Sequence, residues 1–123
     1  MSGNSLLIDT NILLYLLGGD ESLIPVLEDK QIFISFITQI EVLGYHRLTE
    51  KERKKTIEFL EQCTIIDITS GIKEKAIKIR RELNLKLPDC IISATAIYLN
   101  IPIFTADKDY KNIKEADILF YQK

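Results

Sequence analysis

The chain carries one histidine and two cysteines among 123 residues, and neither type clusters. Cys63 and Cys90 stand far apart, outside any Cys-x-x-Cys motif. They read as reduced, core or half-buried thiols of a cytoplasmic protein rather than as a disulfide framework. His46 has no second histidine or cysteine near it and is assigned no chemistry. Charge is almost balanced, with 16 basic against 18 acidic residues and a net charge of −2. That argues against a protein that coats nucleic acid by bulk electrostatics. Long hydrophobic runs are missing as well: the run Ile12 to Leu17 is far too short to span a bilayer. The N-terminus lacks the basic region and small-residue cleavage site of a secretory signal. There is no internal repeat, low-complexity tract or linker.

What is present is the composition of a globular domain, 46% hydrophobic and 28% charged, with length for one core. Residues 1–123 are therefore read as a single domain. Ser5 to Ile8 is a continuous apolar run, the pattern of a strand covered on both faces. It stops at Asp9-Thr10-Asn11, any of which can cap the helix predicted over Ile12 to Leu17. A small helix follows from Glu21 to about Glu28, then a strand from Gln31 to Ser35. Thr38-Gln39-Ile40-Glu41 matches a capping box opening the next helix, with His46 late in it. Thr49 to Glu52 is a second capping box, for a helix running to about Gln62. Thr64 to Ile68 reads as a third strand. Ser70 is expected to cap a helix whose Ile72, Ala76, Ile79 and Leu83 face the core.

Pro88 suits the first position of a further helix, with Asp89 in its first turn and Leu99 near its end. Asn100 can terminate that helix and Pro102 blocks its continuation. Ile103 to Thr105 is a short buried strand, Tyr110 to Ala116 a connection, and Asp117 to Tyr121 an edge strand. About five strands alternating with helices predict an α/β fold, a three-layer α/β/α sandwich with a mostly parallel central sheet.

In such a sheet, strand C-termini and helix N-termini share one edge, where ligands bind. Asp9, Glu41, Asp89 and Asp107 all fall at that edge, with Asp109 a nearby fifth acid. Each has an ordinary structural alternative in helix capping, and Glu41 most of all, because the capping box offers it a purely structural job. Together they repel, and no arginine or lysine is obviously placed among them. A divalent cation is the natural solution, and an all-oxygen set without His or Cys selects Mg²⁺ or Mn²⁺ over zinc. One or two such ions typically activate water and stabilise a leaving oxygen at phosphate, so phosphodiester hydrolysis is the leading chemistry.

Four segments carry a family resemblance. Leu7-Ile8-Asp9-Thr10-Asn11-Ile12 resembles the opening motif of PIN-domain nucleases, and Thr38-Gln39-Ile40-Glu41-Val42 their second acidic motif. Leu87 to Ala96 resembles the third and Thr105-Ala106-Asp107-Lys108-Asp109-Tyr110 the fourth. The resemblance runs from Leu6 to the C-terminus, and the compact length is similar to VapC-type toxins of toxin–antitoxin pairs. It implies a Mg²⁺- or Mn²⁺-dependent endoribonuclease, a homodimer as a rule, inhibited by a small antitoxin encoded beside it. The implied substrate is RNA, a tRNA or an rRNA loop, cut to leave a 5′-phosphate and a 3′-hydroxyl. By the same resemblance Asp9, Glu41, Asp89 and Asp107 form the acidic site, with Asn11 and Thr105 as polar neighbours that orient carboxylates or water. Either Asp107 or Asp109 can be the main fourth ligand, and Asp107 stands nearer the strand end. Lys86, Lys108, Lys111 and Arg47 lie close enough to that edge to hold RNA phosphates, although a solvated surface role explains each one singly.

Two rival readings differ in what they need. A phosphoacceptor receiver domain wants an acidic pair after the first strand and a lysine ending the fifth, and both are missing here. A non-catalytic PIN-like binding module would be signalled by loss of an acid, and all four are present.

Overall fold

The computed structural model describes residues 4–122. Five strands form one sheet: β1 (Ser5–Ile8), β2 (Gln31–Ser35), β3 (Thr64–Ile66), β4 (Ile103–Thr105) and β5 (Ile118–Phe120). Their order is β3-β2-β1-β4-β5, and every pairing is parallel. The helices are α1 (Thr10–Leu17), α2 (Ile24–Leu27), α3 (Phe36–Leu43), α4 (Glu50–Glu61), α5 (Ser70–Glu82) and α6 (Leu87–Leu99). None of them is long and apolar enough to cross a membrane.

The central strand shows why the layers are three. Side chains of a strand alternate between faces, so Leu7 enters one apolar cluster while Leu6 and Ile8 enter the other. In β4 Ile103 and Phe104 divide in the same way. Ile72, Ala76 and Ile79 of α5 and much of α6 close the first cluster. Ile12 and Leu13 of α1, Leu27 of α2, Val42 of α3 and Leu60 of α4 close the second. The strand order runs outward in both directions from β1, so β1 and its neighbour β4 flank the point where the winding reverses. That point is where parallel sheets open a crevice beyond their strand C-termini.

Several local expectations shift. Helix α1 starts at Thr10 rather than Ile12, because Asp9 takes the N-cap and accepts from Ile12 N–H at 2.9 Å. The small second helix splits into a 3₁₀ turn, Glu21–Leu23, and the short α2. Strand β3 ends at Ile66, not Ile68. Ile66 pairs with Ser35, the last residue of β2, so the two residues beyond it have no partner strand. Thr69, not Ser70, caps α5 by accepting from Ile72 N–H. Helix α6 opens at Leu87 with Lys86 as N-cap, one residue ahead of Pro88. Its C-cap Asn100 takes the left-handed conformation (φ 57°), as a helix-ending asparagine does.

The largest correction concerns α3. The predicted capping box from Thr38 to Glu41 does not form. Ser35 ends β2 and is itself the N-cap, its hydroxyl accepting from Ile37 N–H at 3.3 Å. Thr38 therefore lies inside the helix, fully buried, and Glu41 lies a turn further on. The helix stops at Gly44, where a Cβ would sit 2.6 Å from the Ile40 carbonyl oxygen. His46 consequently follows the helix instead of ending it. The box from Thr49 to Glu52 does form, with both reciprocal bonds made.

Candidate acidic site at the sheet edge

Asp9, Glu41, Asp89 and Asp107 line one cleft of about 160 Å³, together with Thr10, Asn11, Lys86, Pro88 and Ile92. A larger hollow of about 450 Å³ lies between α1 and α4, walled mainly by aliphatic and aromatic side chains. Charge and donor type, not size, distinguish the acidic cleft. Asp109 is exposed and stands outside it. Lys108, Lys111 and Arg47 are exposed and also stand outside, whereas Lys86 is in the lining.

Each acid is held by a different device. Asp9 is 4% exposed and has both oxygens engaged. Oδ1 accepts the N-cap bond, and Oδ2 accepts from the Thr105 hydroxyl. The same Thr105 oxygen accepts from Asp107 N–H at 3.0 Å, so one fully buried hydroxyl ties two acidic positions together. Asp107 in turn caps the 3₁₀ turn Lys108–Asn112 by accepting from Asp109 N–H at 2.9 Å. Glu41 reaches from α3 to accept from the Thr10 hydroxyl at 2.6 Å. Thr38 lies 3.0 Å from that hydroxyl. Since the one Thr10 hydroxyl hydrogen is directed at Glu41, the buried Thr38 hydroxyl is the donor to Thr10. Asp89 accepts from the hydroxyl of the fully buried Tyr110 at 3.2 Å.

The electrostatics match this crowding. Burial raises the Asp9 carboxyl above its ordinary value, against the lowering pull of Thr105 and Ile12 N–H, and the charges of Asp89 and Asp107 raise it further. Burial likewise raises Asp89, opposed by Tyr110 and Lys86 and aided by Asp107 and Glu41. Tyr110 is pushed up by burial and by the neighbouring carboxylates, so it stays a neutral donor. Lys86 is thus the one basic lining residue among the described residues of the cleft, and it offsets only part of the repulsion.

The donor set is all oxygen and contains four carboxylates, which fits a hard divalent cation and fits zinc poorly. Among the described residues no three His, Cys, Asp or Glu side chains already converge as a ligand set. The four carboxylates come from α1's N-cap, α3, α6 and the turn after β4. Sequence reasoning gave Thr38 a capping role and missed its hydrogen bond to Thr10, the orienting role of Thr10, and Tyr110 as a partner of Asp89. A threonine inside a helix carries no periodic signal, and Tyr110 sits in the polar run Lys108 to Lys111, which gives no hint that its ring is buried.

The sequence matches the model of the PIN domain over residues 6–116. A structure described as a toxin–antitoxin complex from Klebsiella pneumoniae contains a chain 34% identical, with TM-score 0.83 over 96% of this chain and 99% of that one. VapBC2 from Rickettsia felis, bound to a DNA fragment from its promoter, superposes with TM-score 0.86 at 23% identity, covering 96% and 99% of the two chains. VapBC-1 from nontypeable Haemophilus influenzae gives 0.81 at 21% identity, covering 97% and 99%. No curated protein matches the chain in sequence. The chain belongs to the PIN-domain family. Its fold is that of the PIN domains of VapBC toxin–antitoxin complexes.

Proposed function

We propose that the protein is a Mg²⁺- or Mn²⁺-dependent endoribonuclease and the toxin of a toxin–antitoxin pair, acting in the cytoplasm. The observation that carries this reading is the gathering of Asp9, Glu41, Asp89 and Asp107 in one cleft at the sheet's switch point. These four residues would hold the cation. When bound, it supplies charge stabilisation at the phosphate and lowers the pKa of a nearby water. Asp9 is fixed at both oxygens and serves as the rigid member of the set. Glu41 is exposed and held through Thr10, which leaves it free to meet substrate at the rim. Lys86, the one basic lining residue among the described residues, would bind a backbone phosphate beside the acids. Membership of a nuclease family supports hydrolysis. The likeness to toxin–antitoxin complexes supports an antitoxin partner, and a homodimer is the assembly we assign to the active protein.

The test is incubation of purified protein with pooled tRNA and rRNA in Mg²⁺ or Mn²⁺, mapping the ends of the products. Discrete cuts abolished by chelator and by Asp9→Asn are expected. Intact RNA under every condition, or cuts retained by Asp9→Asn, would overturn the reading. One observation favours the alternative of a non-catalytic binding module: the carboxylates do not already converge. That alternative predicts intact RNA and a protein indifferent to divalent cations.

A further inference from the structure

Tyr110 stands between two of the cleft's acids without lining the cleft itself. Its hydroxyl donates to Asp89 Oδ1 at 3.2 Å across 21 residues of sequence. Its backbone N–H donates to the Asp107 carbonyl at 3.3 Å. Its own carbonyl accepts from Ile113 N–H at 3.0 Å, closing the turn that Asp107 caps. The ring is wholly buried in the apolar cluster that contains Ile91, Ile92 and Ile103. One rigid aromatic side chain thus spans from the turn after β4 to the first turn of α6.

We infer that Tyr110 is a positioning residue that sets the orientation of Asp89 relative to Asp107 and so tunes how tightly the cleft holds a divalent cation. This rests on Asp89 belonging to the cation site proposed above. The argument is geometric. Asp89 is only half buried, on a short side chain with two rotatable bonds, and among the described residues Tyr110 alone donates a hydrogen bond to its carboxylate. A phenol anchored in the core has little freedom of its own, so a carboxylate bonded to it inherits that rigidity. Outer partners of this kind commonly change metal affinity or activity by about 10–100-fold when removed. Phenylalanine at this position would fill the same space and leave Asp89 unanchored.

Tyr110→Phe tests this in two stages. In metal-free protein with ¹³C-labelled aspartate carboxyls, the Asp89 resonance is identified by its loss in Asp89→Asn. It is expected to move in Tyr110→Phe. In Mn²⁺ titrations, affinity should fall about tenfold or more, with kcat for RNA reduced and KM unchanged. In an Asp89→Asn background, Tyr110→Phe should produce no further loss, because it acts through Asp89. An unmoved resonance overturns the inference. So does a moved resonance with wild-type Mn²⁺ affinity, or an additive loss in the double variant. A wild-type protein that fails to bind Mn²⁺ sinks the cation site itself, and this inference with it; loss confined to Tyr110→Phe does not touch that site.

Discussion

Thr10 donates its hydroxyl to Glu41 at 2.6 Å, joining the first turn of α1 to the second turn of α3 across 31 residues. Thr38 completes the chain behind it. The contact holds Glu41 at the cleft, and the helix-capping role falls away because Ser35 caps α3. Glutamine at position 41 keeps an acceptor for Thr10 but loses the charge. Glu41→Gln is therefore expected to keep the wild-type melting temperature while losing Mn²⁺ affinity. A fall of several degrees with full activity would return Glu41 to a purely structural role.

Thr105 presents a different balance. Its buried hydroxyl donates a hydrogen bond to Asp9 and accepts one from Asp107 N–H. Thr105→Val keeps the shape and strands both partners. The expected cost is about 1–3 kcal/mol, the usual penalty for an unsatisfied buried polar group. Urea unfolding of the metal-free protein measures it, and an unchanged midpoint would mean that water or Asp9 rotation repairs the site. Activity should fall too, by about 10–100-fold.

The raised carboxyls of Asp9 and Asp89 give the metal-free protein a pH dependence of definite sign. The folded state holds protons that the unfolded state has released, in the window from the ordinary value of 3.8 up to the raised folded values. Stability contributed by these groups is greatest at the acid end and falls as pH rises through that window. Glu52 and Glu115, both lowered by their bonding partners, contribute in the opposite direction. The comparison with Asp89→Asn isolates the cleft. That variant should be as stable as wild type or more stable at neutral pH, and its stability should decline less as pH rises. Marked destabilisation at pH 7 would make Asp89 a structural carboxylate.

Much of the fold was legible because the short strands are apolar runs cut off sharply by polar residues. Ser5 to Ile8 before Asp9, Gln31 to Ser35 and Ile103 to Thr105 coincide with the observed strands. The placement of Asp9, Asp89 and Asp107 at one sheet edge follows from that alternation, since each lies just beyond a strand or in a first helical turn, whereas Glu41 reaches the cleft from the second turn of α3. What stayed hidden depends on contacts far apart in sequence. Ser35 caps α3 while still paired in β2, and no local pattern separates that role from the look-alike box three residues later. The bonds from Thr10 to Glu41, Thr105 to Asp9 and Tyr110 to Asp89 span 31, 96 and 21 residues. Side-chain pairing over such distances exists only once the sheet has assembled.

The most direct measurement is the melting temperature of purified protein with and without millimolar Mn²⁺, in wild type and Asp9→Asn. A ligand that binds only the folded state adds RT ln(1 + [L]/Kd), about 2.7 kcal/mol at a hundredfold excess over Kd. The acidic cation site predicts a clear rise in wild type, growing with Mn²⁺ concentration, and little or none in Asp9→Asn. Equal melting temperatures with and without Mn²⁺ in the wild type, or an equal rise in both proteins, would contradict it.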